Sequence, residues 1–419
     1  LRFRLTRRKT SLFVFLAAAL LLSLTGCGRK SDWVMFRGEQ GRGGTTNVLK
    51  PPLGIKWKLN IQESLEPAYA FNNPVVIKDT IYFGSTDGNI YALDIRSGYM
   101  RWVYKTKGSI NSVPYGDENN IYIGSNDGFL YAISRKDGTK SWAFEADSTI
   151  QSTITRTDES VLFVSDGGHV FAVSPEGQEQ YRLPNPVWYY FSFQVYDDVL
   201  YFAPGPVEQP HSMGAYDLSL KDYLFILDTQ FMDAIWYSFP ALKGDKLFFS
   251  TADYLVDYWR FDYYCYDRRT GKLNWKYTDF SEWGLEGYYD LEQLFNQNML
   301  LLDYLAPSLW KNLNIYTSGD SVVRAMDSST GKVAWRKKFD SYTTSAPTVA
   351  GNYVYFGISE NLDPYDPRGP RLVCLSAKNG KKMWEMEVEG NILSAPVIAR
   401  DWMIFGTDRN MFYVLEALF

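Results

Sequence analysis

Two stretches of this chain align without a gap. The first runs Ile81-Tyr-Phe-Gly-Ser-Thr-Asp-Gly88, then Tyr91-Ala-Leu-Asp94, Gly98 and Trp102. The second runs Ile121-Tyr-Ile-Gly-Ser-Asn-Asp-Gly128, then Tyr131-Ala-Ile-Ser134, Gly138 and Trp142. Every marker moves by 40 positions, a period that suits the blade of a β-propeller. Within one unit the alternation of apolar residues and the β-branched and aromatic enrichment predict four short strands. Asp87-Gly88 supplies the residues of a tight hairpin between the second and third strands. A turn ending at Gly98 leads into a fourth strand holding Trp102.

The same grammar recurs to the end of the chain. A third unit has Val161–Gly167, Ala172 and Gly177, with Tyr181 in the tryptophan slot; a fourth is degenerate, with Val199–Phe202 and Ala215-Tyr-Asp217 but no Trp. Units five, six and seven end on Trp275, Trp335 and Trp384. The eighth, Ser394 to Leu415, lacks its fourth strand, and Gly54-Ile-Lys-Trp57 near the start repeats that missing signature in shortened form. Pairing the two closes a ring and removes both sheet edges, which would otherwise invite aggregation. The expected fold is therefore all-β: an eight-bladed propeller of four-stranded antiparallel blades over residues 54–419, closed by an N-terminal strand. Blades splay apart toward the rim, so the repeated Trp residues are expected to pack between neighbours.

The first 26 residues read as a leader. Arg2, Arg4, Arg7, Arg8 and Lys9 precede an apolar run from Leu12 to Leu24, and Leu24-Thr-Gly-Cys27 has the form of a bacterial lipobox. Cys27 is thus the expected site of lipidation, by diacylglycerol on the thiol and a further acyl chain such as palmitate, and residues 27–53 the expected lipidated linker. Without the five basic residues of the leader, the 43 Lys and Arg fall to 38, against 48 Asp and Glu. Such an acidic body argues against nucleic acid and offers no general attraction to anionic lipid, leaving the acyl chains to hold the membrane. Cys265 and Cys374 fall where other units have Ala92, Ala132, Ala172 or Ala325, so both are expected as small buried residues. Two histidines, His169 and His211, are too few for a typical His-rich metal site. Asp87, Asp127 and Asp166 precede or flank turn glycines, and turn chemistry accounts for them.

The pattern Ala-x-Asp-x-x-x-Gly-x-x-x-Trp at Ala92–Trp102 and Ala325–Trp335, with Trp33-Val-Met-Phe-Arg-Gly38, resembles the pyrroloquinoline-quinone (PQQ) repeat family. Two branches share that architecture, so the resemblance alone leaves function open. One contains quinoprotein dehydrogenases, whose alcohol-oxidising members carry a disulfide of adjacent cysteines, a calcium ion and, in haem-bearing forms, Cys-x-x-Cys-His. This chain has no adjacent cysteines and no such haem motif. The other branch contains BamB-like lipoproteins that scaffold outer-membrane β-barrel assembly without a cofactor. The resemblance to this second branch implies a non-catalytic protein-binding subunit of a larger complex, with no catalytic residue, cofactor or metal. With Gly28 after the cysteine, it also implies an outer-membrane protein facing the periplasm. The alternatives are a PQQ- or metal-dependent oxidoreductase and a glycan-binding propeller.

Partner contacts are expected where the repeat is interrupted. Pro204–Met213, Ala252–Asp262 and Ser359–Pro370 expand second-to-third hairpins, and Asp279–Pro307 separates blades five and six. Strand direction alternates, so all four crowd one face over blades four to seven. Tyr254, Tyr258, Trp259, Phe261, Trp283, Tyr288, Tyr289 and Tyr304 supply the aromatic area there, of the kind enriched at binding hot spots. Leu291–Leu302 is expected as a short helix.

Overall fold

A computed structural model describes residues 30–38, 41–61, 73–184, 193–202, 212–228, 236–255, 258–281, 306–360 and 368–419. Eight antiparallel blades follow one another around an axis, as the repeat predicts. Blade one comprises Val75–Ile77, Thr80–Gly84, Asn89–Asp94 and Met100–Lys105. In blade eight, Val397–Ala399, Trp402–Gly406 and Met411–Ala417 are completed by Leu53–Asn60, whose register runs from Leu53 opposite Ala417 to Asn60 opposite Met411. The closure expected from Gly54–Trp57 is therefore present, extended by one residue before it and three after.

The spacing of the repeat has a geometric reason. In all eight blades the pairing of third and fourth strands slips by one residue just before the rim aromatic. This bulge turns the aromatic toward the next blade. There its indole N–H donates to a carbonyl in the third-to-fourth turn: Trp57 to Ile95 (2.8 Å), Trp102 to Arg135 (3.2 Å), Trp142 to Pro175 (2.8 Å), Trp275 to Ser328 (3.1 Å) and Trp335 to Ala377 (3.0 Å). The turn glycine lies flat beneath the ring. Gly138 has φ +74°, and a Cβ there would meet Trp102 at 2.8 Å. Opposite seven of the eight rim aromatics stands an Ala or Cys of the third strand, with Val414 opposite Trp57, and Cys265 and Cys374 face Trp275 and Trp384 in the same way as Ala92 faces Trp102. Degenerate blade four keeps the device in altered form: Phe225 packs against Gly271 of blade five. Its own turn holds Lys221 at φ +56° under Tyr181 of blade three.

Serines near the axis add a second recurring clasp. Ser112, Ser152, Ser238 and Ser345 each accept the N–H of a residue in the following second strand (Gly124, Val164, Ser250 and Gly357), at 2.8–2.9 Å.

Residues 30–53, expected as a linker, are instead built into the ring. Trp33 pairs with Val76 of blade one, and Gly116 of blade two donates to the carbonyl of Val34. Phe36 packs edge-on to Phe239 (5.1 Å between centroids) beside Val113 and Ala306. Arg37 is buried, with its Nη2 2.7 Å from the Pro307 carbonyl. Gly44–Thr45 then lies parallel to Val349–Ala350 of blade seven, and Tyr355 donates to the Leu49 carbonyl at 2.6 Å. The segment plugs the axial channel because its apolar residues, Trp33, Phe36 and Leu49, are what the inner strands enclose.

Candidate functional site

The alternation of strands gives the ring two faces. One carries the first-to-second and third-to-fourth turns; the other carries the second-to-third hairpins and the blade-to-blade connections. On this second face blade five departs from its neighbours. Its strands Lys246–Leu255, Tyr258–Asp267 and Leu273–Ser281 run to 10, 10 and 9 residues, against 5, 6 and 6 in blade one. Pairing continues without a break from Lys246 opposite Asp267 to Leu255 opposite Tyr258. Ala252–Asp262, expected as a hairpin insert, is thus a straight prolongation of the sheet. At about 3.3 Å per residue it stands roughly 16 Å above the ring.

The prolongation has two distinct sides. Toward blade six, Trp259 and Phe261 are 4% and 2% exposed and stack on each other at 6.2 Å. They join Phe248, Tyr263 and Trp275 with Tyr316 and Met326 of the next blade. Toward blade four a polar ladder runs up the sheet: Lys276 to Asp262 at 3.1 Å, Arg260 to Asp262 at 3.5 Å and Arg260 to Asp253 at 3.4 Å. At its top Tyr258 and Phe280 meet edge-on at 5.5 Å and are 40% and 55% exposed. Paired charges fix the side chains while the aromatics at the tip stay open to solvent.

A buried ion cluster ties the base of the prolongation to blade six. Arg324 is fully buried and binds Asp320 through both terminal nitrogens (3.0 and 2.7 Å) and Asp279 through Nε (2.6 Å). Its guanidinium lies 5.6 Å from the Phe261 ring centroid. Burial alone would favour loss of the Arg324 proton, but Tyr263, Asp320 and Asp279 around it hold its pKa well above the ordinary value. Arg336 reaches the same Asp279 oxygen at 2.6 Å. With every charge engaged, the cluster sets the angle at which blade five leaves the ring.

Of the eight predicted contact aromatics, Tyr258 is at the surface, and Trp259 and Phe261 are in the packed layer beneath it. Tyr254 lies on the strand opposite Trp259. Trp283, Tyr288, Tyr289 and Tyr304 lie outside the described residues, as do Cys27, His211, the Leu291–Leu302 segment and most of the inserts after Phe202, Ser281 and Glu360. Phe280, which the sequence reading passed over, completes the exposed pair. Its position was readable in the alternation Lys276, Thr278, Phe280.

Among the described residues no three His, Cys, Asp or Glu converge, and Phe36 and Phe239 pack together near the axis with Val113 and Ala306. Cys265 and Cys374 sit on separate blades, and burial pushes their thiols up to about 11 and about 12, away from the reactive thiolate. Asp87 and Asp127 do the work of turns: each accepts the backbone N–H two residues on and the hydroxyl of Tyr91 or Tyr131. Asp166 instead takes side-chain bonds from Thr149 and Gln151. His169 is paired to Asp147.

Comparison with solved structures places this ring among known propellers. BamB from Moraxella catarrhalis superposes with a TM-score of 0.61 at 13% identity, covering 87% of this chain and 100% of that one. Quinohemoprotein alcohol dehydrogenase from Comamonas testosteroni gives 0.67 at 15% identity over 97% of this chain and 84% of that one. A europium-containing methanol dehydrogenase gives 0.64 at 13% identity over 93% and 98%. At these identities the likeness is one of fold, and it spans both branches. No curated protein sequence matches the chain. The sequence model of the family described as outer membrane protein assembly factor BamB, however, matches residues 54–186 and 319–418, more than half of the chain. On that match, and on the bulge, glycine and tryptophan that lock each blade to the next, the chain belongs to the BamB family of PQQ-repeat propellers.

Proposed function

We propose that this protein is a lipid-anchored scaffold without catalytic activity of its own. It faces the periplasm from the outer membrane and holds a protein partner in β-barrel assembly. The carrying observation is the prolonged sheet of blade five: a rigid three-stranded platform raised above the ring, with Tyr258 and Phe280 exposed at its tip. Aromatic side chains bury much area with few rotors, so an exposed pair on a fixed support suits recognition. Its fourth strand, Leu273–Ser281, is also the edge of its sheet and offers backbone groups to a partner strand. The family match supports the assembly role.

The test is capture of the protein from gently solubilised membranes, comparing the natural sequence with the Tyr258→Ala/Phe280→Ala double variant. Recovery of an outer-membrane barrel with its periplasmic assembly partners, lost in the double variant, is the expected result. Recovery of respiratory proteins with a quinone chromophore, or of the same partners by both forms, would overturn the proposal. Trp259→Ala is the wrong probe, because it opens a hole in the layer between blades five and six.

A further inference from the structure

The acidic net charge conceals a polarised distribution on the face opposite the blade-five platform. In its sector over blades five to seven, Arg269, Lys272, Lys311, Lys332, Lys378 and Lys381 are all exposed, with Asp245 the one exposed carboxylate among the described turns there. Over blades one to four the same face is mixed, with Glu118, Asp158, Glu159, Glu176 and Asp198 beside Lys78, Arg96, Lys136, Lys140 and Lys221. No carboxylate of the described residues pairs with Lys272, Lys311, Lys332, Lys378 or Lys381, while Arg269 reaches Asp197 and Asp217 of blade four.

Two further observations lie beside this sector. Val48, packed over Gly351 in the first turn of blade seven, and Leu418, which donates to the Pro52 carbonyl, are both exposed apolar side chains. Lys50 lies between Val48 and Pro52 and is exposed as well. The described chain also enters from this face: Arg400 in the first turn of blade eight donates to the Ser31 carbonyl at 3.0 Å, and Lys30 pairs with Asp401. Lys30, three positions after Cys27 in the sequence, is thus on this face.

We infer that this face docks on an anionic phospholipid surface, with the basic sector of blades five to seven against the headgroups and Val48 and Leu418 at their level. The inference extends the anchored reading given above. A lipid on Cys27 holds this face within a short tether of the bilayer, and the unpaired lysines then fix which sector turns inward. Carboxylates farther from these lysines than a Debye length, about 8 Å at physiological salt, do not cancel the attraction. The blade-five platform accordingly points away from the membrane.

The test uses the mature protein isolated from its own membranes and returned to vesicles of phosphatidylcholine alone or of a phosphatidylglycerol-rich mixture. Amine-reactive footprinting reads each lysine. Labelling of Lys272, Lys332, Lys378 and Lys381 is expected to fall several-fold on the anionic vesicles and to recover in high salt, while Lys105 on the opposite face is unchanged. Reversing those four lysines to Glu should weaken attachment to the anionic vesicles by at least about tenfold without moving Tm. Equal labelling on both lipids overturns the inference. Protection found in native membranes but not in protein-free vesicles also overturns it, and assigns the sector to an acidic protein. Failure of the anchored reading is separately visible, as an unmodified Cys27 in the mass spectrum of the isolated protein.

Discussion

Blade two and blade five obey the same rules up to the level of Gly124 and Ser250, and differ in everything above it. Both place a small residue, Ala132 or Cys265, opposite a bulged tryptophan, and both send that indole to a carbonyl of the next blade. Blade two then turns at once through Asn126-Asp127-Gly128, whereas blade five continues for five more residues to Leu255. The docking of indole onto turn is therefore confined to the half of each blade nearest the third-to-fourth turns. The opposite half is free to lengthen without disturbing the ring. Stability and recognition are separated along the strand direction.

This separation can be broken most severely at the one point where the two halves meet. Arg324→Ala leaves Asp320 buried without its partner and Asp279 with Arg336 alone, and a loss of about 3–5 kcal/mol is expected, read as a lower midpoint in urea. Trp102→Ala should cost about 3 kcal/mol through lost packing and a lost bond to Arg135, again by denaturation. If it proved neutral, the docking account of the ring would fail. Gly138→Ala meets both a left-handed backbone and the Trp102 ring, while Gly244, also at φ +59°, has nothing within 4 Å. The first should therefore lose about 1–3 kcal/mol and the second clearly less.

Acid sharpens the contrast between turns. Burial would raise the Asp94 carboxyl, but bonds from Arg101 and from the Ser97 N–H and hydroxyl bring it down to about 2. Asp327 is lowered too: burial again opposes, and the Thr330 hydroxyl with the Ser329 and Thr330 N–H groups prevails. A folded value below the unfolded one of about 3.9 stabilises the ring above about pH 4 and is lost as pH falls through about 2. Blade two has Ser134 in that place, so Asp94→Asn should flatten acid unfolding in the pH 4 to 2 window while Ser134→Ala leaves its pH dependence unchanged. The smallest stability change is expected for Tyr258→Ala with Phe280→Ala, within about 0.5 kcal/mol, although partner capture is lost.

The ring was legible because its markers are geometric necessities: a glycine where φ is positive and an indole lies flat, an alanine where that indole needs room. Phe225 was legible in principle, since it follows Lys221 by the same four positions that separate Gly98 from Trp102, but the missing glycine and tryptophan hid it. Ala252–Asp262 reads as a hairpin insert within blade five because its length breaks the period. Its strand character shows in Thr251–Thr270, where no Gly or Pro interrupts the run. Arg324 occupies the place of Tyr91 and Tyr131, and a charge at that position was the one local sign of the ion cluster. The plug had weaker signals. Its glycines, Gly41, Gly43 and Gly44, resemble a linker until one sees Gln194, Arg37 and Val349 pressing on them. The basic sector was invisible to net charge, because residues from blades five, six and seven become neighbours only in the closed ring.

Closure by Leu53–Asn60 also governs the order of folding. Seven blades can form from local hairpins as the chain emerges, but the eighth must wait for Met411–Ala417 to be made and delivered. Until then one of the first strands produced has no partner, and joining it to the last carries the entropy of closing almost the whole polypeptide. During that interval the open ring presents two complementary unpaired edges, and those of two different molecules can meet as readily as those of one. The step that seals the propeller is thus its latest and most concentration-sensitive, and crowding of newly made chains is where its misassembly would begin.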